Sequence, residues 1–211
     1  MSTFGGACAV GGTREAKDEF SVKVATAWEE EFDRLPLGST RRVALRTAMV
    51  FGREPGTVYP ILRRLAKLGL AGSLAGGQQY VSWIHELDFC RAISWLLARD
   101  DLEGPVNVAA PQPLTNAELM RSVRATCGRR LGLPASRWML ELGAFVLRTE
   151  TELLIKSRRV VPERLLNSGF TFLFPDLQRA LAELEVRGRE RMADREAIPL
   201  ETAAICSDQV S

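Results

Sequence analysis

The chain has a single histidine, His85, and its surroundings could support acid–base chemistry. An imidazole titrates near neutral pH, so it can exchange a proton under physiological conditions. Asp88 follows three residues later, and side chains at that spacing share a helix face, so the carboxylate could orient the ring. The pair also fits a structural role, with the ring bonded to the backbone at a strand-to-helix junction and Asp88 favouring the positive end of the helix. Both interpretations stand, and the catalytic residues are unknown from these patterns.

Other patterns that could bind phosphate or metal are weak. Residues 6–13, GACAVGGT, resemble a phosphate-binding loop, but glycine replaces the lysine and no strand precedes them. The four cysteines are far apart in the sequence, and the chain has one histidine that could join them as a ligand, so no metal site is expected. Cys90 and Cys127 fall among apolar residues at helical spacing, which predicts reduced thiols in the core.

Composition and charge narrow the class of protein. The 28 basic and 26 acidic side chains are interspersed and give a net charge of +2, so no nucleic-acid partner is expected. The most apolar helical region, residues 136–155, is interrupted by charges, which argues against a membrane span. The first residues lack the basic start and apolar stretch of a signal peptide, so we expect a cytoplasmic protein.

The elements that must position these residues alternate between strands and helices. Helical periodicity is predicted over residues 16–35, 57–69, 86–100 and 114–127. Strands of the type buried on both faces are predicted at 41–51 and 104–111, with a short strand between them that ends at 84. This alternation predicts the α/β class, as the C-terminal part of a Rossmann-like parallel sheet followed by a small, mainly helical C-terminal domain.

Three segments carry a resemblance to a known family. RTAMVFG, SWIHELDFCRAI and GPVNVAAPQPLTNAE occur in this order, and they resemble the extended short-chain dehydrogenase/reductase superfamily of NAD-dependent epimerases and dehydratases. Residues 133–181 are similar to the tail domain of unknown function that ends members of an atypical branch. The resemblance covers roughly residues 16–186, and it implies that the family's N-terminal nucleotide-binding half is missing here.

The resemblance implies a division of the chain and a set of site residues. It implies a partial Rossmann-like domain over 16–132 and a family-specific domain over 133–186. Composition predicts a poorly ordered N-terminus over 1–15, and the lack of periodicity predicts a disordered tail over 187–211. NAD or NADP is the implied cofactor, with binding by this chain alone doubtful, and an unidentified small molecule is the implied substrate. The implied cofactor-side residues are Thr47 and Ala48, and the implied substrate-side residues are Met49, Gln79, Ser82 and His85.

Departures from the family pattern affect catalysis. Such enzymes use a tyrosine with a lysine four residues later, whereas Tyr59 is followed at that spacing by Arg63 and Tyr80 by Ile84. The arginine that holds a diphosphate in the sugar-nucleotide enzymes is replaced by Val81. The expected function is therefore an NAD(P)-dependent epimerase/dehydratase-like oxidoreductase of unknown substrate. The alternative is a non-catalytic protein that binds a partner, its missing half or itself through an exposed sheet edge.

Several other side chains are expected to be structural. Arg46 lies within a strand, where a charge needs a partner, so it is interpreted as an ion pair or as an exposed strand end. The four tryptophans lie on apolar stripes and are predicted to lie in the core: Trp28, Trp83, Trp95 and Trp138.

Overall fold

The computed structural model describes residues 15–36, 38–54, 56–74, 76–129, 132 and 157–197. The helices are α1 (Glu15–Arg34), α2 (Val58–Lys67), α3 (Glu86–Leu97), α4 (Asn116–Thr126), α5 (Glu163–Asn167) and α6 (Leu177–Ala197). The strands are β1 (Val43–Thr47), β2 (Met49–Phe51), β3 (Tyr80–Val81), β4 (Trp83–His85), β5 (Gly104–Val108) and β6 (Leu114–Thr115). None of the helices within these ranges is long and apolar enough to cross a membrane.

Parallel strand pairing confirms the α/β class. Strand β1 pairs with β5 from Val43↔Gly104 to Thr47↔Val108, and β2 pairs with β4, also in parallel. Strands β3 and β6 form a short antiparallel pair. Parallel neighbours require a long connection, and here α2 and α3 lie in the sequence between β1 and β5.

The single strand predicted over residues 41–51 is divided at Ala48. The Ala48 amide donates to Val108 O at 3.0 Å, whereas the next amide, Met49 N, donates to Ser82 O at 3.3 Å. The chain therefore exchanges β5 for β4 as its partner within one residue. The prediction that this strand is buried on both faces is wrong for β1, because Leu45 is 40% exposed and Thr47 is also exposed.

Two apolar clusters hold these elements together. The first lies where α2 and α4 meet α6, and its fully buried members include Leu62, Leu119, Leu181 and Leu184. The second lies between α3, β5 and α5, and includes Ile84, Val106, Leu165 and Phe170. The C-terminal residues 165–184 thus contribute to both clusters, because their apolar faces are buried against the strands and helices that precede them.

Local signals predicted the helix ends well. Thr115 and Glu118 form the expected capping box, in which the Thr115 hydroxyl accepts from Glu118 N and the Glu118 carboxylate accepts from Thr115 N. Gly69 follows α2 with a φ of +76°, a left-handed conformation that favours glycine and ends the helix. These interactions form between residues close in the sequence, which is why the sequence pattern reveals them.

Predictions for individual side chains were less reliable. Trp28 is 73% exposed and Cys90 is exposed, so the prediction that both lie in the core is wrong. Trp83 is buried as expected, and Trp95 is half-buried and donates its indole N–H to Ser168 Oγ at 3.0 Å. Cys127 is half-buried against the first cluster.

The predicted disordered tail is wrong where the structure describes it. Helix α6 continues to Ala197, so residues 187–197 are helical. The predictions for residues 1–14, 133–156 and 198–211, including Trp138, lie outside the described residues.

Candidate functional site

Thr47 and Ala48 lie at the carboxyl end of β1, beside the carboxyl end of β5. The Thr47 side chain is exposed, and Ala48 is half-buried, with its amide held by Val108 O. In open α/β sheets, ligands bind in the crevice outside the carboxyl ends of the parallel strands. The two cofactor-side residues implied by the sequence lie at this edge of the sheet.

An ion pair fixes helix α1 beside this strand end. Arg46 Nε donates to Glu29 Oε1 at 2.7 Å and Arg46 Nη2 donates to Glu29 Oε2 at 2.5 Å, a bidentate arrangement. The hydrogen bonds from Arg46 lower the pKa of Glu29, so the carboxylate stays ionised. Of the two interpretations of Arg46, the structure supports the ion pair.

Met49 and Ser82 lie in adjacent segments but have different surroundings. Met49 is half-buried and packs against the first apolar cluster. Ser82 is buried, and its hydroxyl donates to Arg158 O and accepts from Val160 N, each at 2.8 Å. Its hydroxyl therefore joins β4 to the C-terminal segment.

Gln79 also bonds within the protein. Its side chain is buried, and Nε2 donates to Leu74 O at 2.9 Å. Its carbonyl oxygen on the main chain accepts from Asn116 N at 2.8 Å. These bonds fix the loop before β3 to the start of α4.

His85 is fully buried, and both ring nitrogens have partners. Nδ1 accepts from Leu87 N at 3.1 Å, which makes His85 the N-cap of α3. Nε2 lies 2.9 Å from Glu183 Oε2, and the ring centroid lies 4.1 Å from that of Phe174. This geometry matches the structural interpretation of His85, in which the ring bonds the backbone at the strand-to-helix junction.

The partners of His85 determine its tautomer and its charge. Because Nδ1 accepts an amide hydrogen, the proton of the neutral ring lies on Nε2, which donates to Glu183. Burial lowers the pKa of His85, and the nearby carboxylate of Glu183 opposes this shift without reversing it. A neutral buried ring that already bonds two groups is suited to holding a junction.

Asp88 anchors the C-terminal segment, a role that its sequence position did not reveal. Its carboxylate is fully buried and accepts from the amides of Leu173 and Phe174, each at 2.8 Å. Arg91 Nη1 donates to the same carboxylate at 2.9 Å, which is the helical i, i+3 partner. The two amides lie 85 and 86 residues away, so no local pattern could have identified them.

A second charged group connects α3 to α6. Arg187 pairs with Glu86 at 2.7 Å and with Glu183, the partner of His85. Gly52 leaves room for this group, because a Cβ at that position would overlap the Glu86 carboxylate. The arrangement explains a glycine directly after β2.

The Tyr59–Arg63 pair has the spacing of a catalytic tyrosine and its cation but faces the core. Tyr59 is fully buried, and its hydroxyl donates to Glu185 Oε1 at 2.7 Å, while Arg63 pairs with the same carboxylate. Burial raises the pKa of Tyr59, with the bond to Glu185 adding to the effect. Burial alone would raise the pKa of Glu185, but the hydrogen bonds from Arg63 and Tyr59 lower it overall. A tyrosine held protonated in the core does not act as a proton donor to substrate.

Among the site residues implied by the sequence, exposure falls steadily from the cofactor side to the substrate side. Thr47 is exposed, Ala48 and Met49 are half-buried, and the remaining three are buried and bonded within the protein: Gln79, Ser82 and His85. What the sequence did not reveal is which side chains hold the C-terminal segment in place, above all Asp88 and Arg187.

Comparison with known proteins agrees with this fold. Residues 135–184 match the family model described as a domain of unknown function, DUF1731. The epimerase family protein SDR39U1 of Homo sapiens is 33% identical over 166 residues, which are 79% of this chain and 55% of that protein. The epimerase family protein YfhF of Bacillus subtilis is 28% identical over 183 residues. This chain is a homologue of the epimerase family proteins. It spans about half the length of the curated relatives it matches.

Solved structures of epimerases also match this chain. The crystal structure of human SDR39U1 (isoform 2) with NADPH has a TM-score of 0.67 and 32% identity, over 77% of this chain and 54% of that one. A nucleoside-diphosphate sugar epimerase from Corynebacterium glutamicum has a TM-score of 0.61 and 26% identity, over 78% of this chain and 31% of that one. The fold of this epimerase homologue is therefore that of the Rossmann-like epimerases.

Proposed function

We propose that this epimerase homologue is part of an NAD(P)-dependent oxidoreductase and contacts the nicotinamide end of the cofactor through Thr47 and Ala48. The observation that carries the proposal is that Thr47 is exposed at the carboxyl end of the parallel β1–β5 pair. The crystal structure of human SDR39U1, which contains NADPH, has the same fold. The cofactor, when bound, would accept or donate a hydride.

The residues present fit one end of a dinucleotide better than the other. At the nicotinamide end, Thr47 offers a hydroxyl, and the small side chain of Ala48 allows a planar ring to approach the backbone. The pyrophosphate usually lies at an uncapped helix N-terminus. Helices α3 and α4 begin at side-chain caps, His85 and Thr115, which already occupy N-terminal amides. Helix α2 has no such cap, but its third residue is Pro60, which has no amide hydrogen to donate. We therefore expect weak binding of the whole dinucleotide by this chain.

The test is saturation-transfer NMR with NADPH on the full chain. We expect transfer to the nicotinamide protons and little to the adenine protons, with a dissociation constant weaker than about 100 µM. Thr47→Trp should abolish the transfer, because an indole would fill the space beside Ala48. Leu97→Trp is the matched control, since Leu97 is 73% exposed on α3. Transfer confined to adenine, or equal transfer in the Thr47 variant, would contradict the proposal.

One set of observations favours the alternative of a non-catalytic binding protein. Tyr59 and Arg63, the residues at catalytic spacing, bind Glu185 in the core. Leu45 of β1 and Trp28 of α1 are exposed. Among the described residues, β1 pairs only with β5. Loss of every NADPH signal together with concentration-dependent association would support this alternative.

A further inference from the structure

A basic concavity lies at the C-terminal end of α4. Its volume is about 380 Å³, and its lining consists of Arg121, Arg124, Ala125, Gly128 and Arg129. Arg124 is half-buried, and the other four are exposed. The volume lies within the range of roughly 300–1,000 Å³ that is typical of small-molecule sites. The concavity is therefore large enough for a small ligand, and three of its five lining residues are cations.

The end of the helix brings the three arginines together. Arg121 and Arg124 lie three residues apart in α4 and so share a helix face. After the C-cap, Gly128 has a φ of +68°, and its amide donates to Ala125 O at 3.0 Å. The next amide, Arg129 N, donates to Arg124 O at 2.9 Å. These two bonds form a Schellman motif, which turns the chain back so that the main chain of Arg129 lies beside the last turn of the helix.

The side chain of Arg124 is held from two sides. Its Nη1 donates to Ala71 O. Gly132 lies so close that a Cβ at that position would be 2.7 Å from Arg124 Cδ. Among the described residues, Nη2 of Arg124 has no acceptor, and it is not one of the fully buried nitrogens. A guanidinium group that is already held loses less side-chain entropy when it binds a ligand.

Carboxylates do not neutralise this group of arginines. Within the described parts of the chain, Arg121, Arg124 and Arg129 form no ion pair. Glu118 precedes Arg121 by three residues, but its carboxylate already accepts from the amide and the hydroxyl of Thr115, at 2.8 Å each. The positive charge at the concavity is therefore available to an anion from solution.

Lys67, in the last turn of α2, adds a further positive charge near this helix end. Burial raises the pKa of Cys127, the C-cap of α4, and the charges of Lys67 and Arg129 are among those that oppose this rise. The two cations, from different helices, thus act on the same thiol. Their fields add at the end of α4, which favours an anion there.

We propose that this concavity binds a small phosphorylated molecule through Arg121, Arg124 and Arg129. A guanidinium group can donate two parallel hydrogen bonds to phosphate oxygens, and such charge-assisted bonds are stronger than neutral ones. Ala125 and Gly128 leave space for the ligand, because a Cβ added at Gly128 would meet no atom within 4 Å. The concavity shares no residue with the cofactor-side edge of the sheet, so this inference does not depend on the proposed function.

The test is calorimetric titration of the full chain with inorganic pyrophosphate at low ionic strength and without dinucleotide. Ala125→Glu should bind about tenfold or more weakly, because it places a negative charge among the arginines. The matched control is Ala125→Gln, which has nearly the same size without the charge and should stay within about threefold of the wild type. Both variants should fold, since Ala125 is exposed in α4 and both new residues are good helix formers.

A second pair of variants removes charge instead of adding it. Arg121→Gln/Arg129→Gln should bind pyrophosphate about tenfold or more weakly, because it loses charge-assisted hydrogen bonds. Lys23→Gln/Arg34→Gln removes two exposed positive charges from α1 and should leave the affinity within about twofold. A urea melt of each variant checks that it folds like the wild type.

The outcomes separate this proposal from others. Failure of the wild type to bind pyrophosphate would overturn it, as would equal affinity in Ala125→Glu and Ala125→Gln. Binding of citrate or of a single-stranded oligonucleotide without binding of pyrophosphate would also overturn it, because the concavity would then select carboxylates or nucleic acid. Weaker binding confined to Ala125→Glu and the α4 double variant would support it. The titration contains no NADPH, so failure of the nicotinamide contact at Thr47 leaves its result unchanged.

Discussion

The contact between α3 and α6, here called the α3–α6 junction, differs in its burial and bonding from the open side of β1, the exposed side that bears Leu45. At the junction, His85 and Asp88 are fully buried, and each bonds residues of the C-terminal segment. At β1, Leu45 is 40% exposed and Trp28 of the nearby helix is 73% exposed. Buried polar groups are costly unless paired, whereas exposed apolar groups are stabilised when a partner covers them. The first region thus holds the chain together, and the second resembles a surface that another polypeptide chain would cover.

Asp88→Ala should break the junction most strongly. The substitution leaves the amides of Leu173 and Phe174 without their acceptor and Arg91 without its carboxylate partner. We expect the free energy of unfolding to fall by about 3 kcal/mol, measured by urea denaturation. The control is Asp100→Ala. Asp100 is exposed and lies two residues after Ala98, the C-cap of α3, so this variant should unfold like the wild type. Similar urea midpoints for the two variants would mean that Asp88 does not anchor the segment.

His85→Asn should have an intermediate effect that depends on pH. At pH 7.5 we expect a loss of about 1 kcal/mol, since asparagine can still cap α3 but cannot reproduce the bond to Glu183. The folded pKa of His85 lies below the unfolded value, so the unfolded chain binds the proton more readily. Stability from the neutral ring is therefore present above the unfolded pKa and is lost as the pH falls towards the folded one.

Because the chain has one histidine, this titration can be assigned to a single side chain. The wild type should lose up to about 1.4 kcal/mol per pH unit below about pH 6.5, and the variant should lose less. Urea melts of both proteins between pH 7.5 and pH 5.5 give the two slopes. Parallel slopes would show that protonation of His85 is not linked to unfolding.

The smallest change in stability is expected on the open side of β1. Leu45→Lys with Trp28→Ser removes exposed apolar surface and places a charge on the strand, so the free energy of unfolding should change by less than about 0.5 kcal/mol. Self-association, by contrast, should decrease, because charge on an exposed strand opposes pairing with another chain. Light scattering over a dilution series measures the mass. Unchanged mass in the double variant, with an associating wild type, would place the contact elsewhere.

Local sequence patterns predicted much of the fold. The capping box at Thr115 and Glu118, the end of α2 at Gly69 and the apolar runs of β1 and β5 were all visible because their causes lie within a few residues. The alternation of strands and helices led to the α/β class for the same reason. The segments that resemble the epimerase family gave the positions of Thr47 and Ala48 at the end of β1.

Tertiary structure decided what each polar side chain does. The pattern around His85 allowed a catalytic or a structural role, and the structural one follows from Glu183, 98 residues away. Asp88 and Ser82 bond amides that lie 78 to 86 residues later, and the division of the strand at Ala48 depends on two different neighbours. Periodicity identifies which faces are apolar, because that depends on residues a few positions apart. It cannot identify the partners of buried polar groups, because long-range packing brings those partners together.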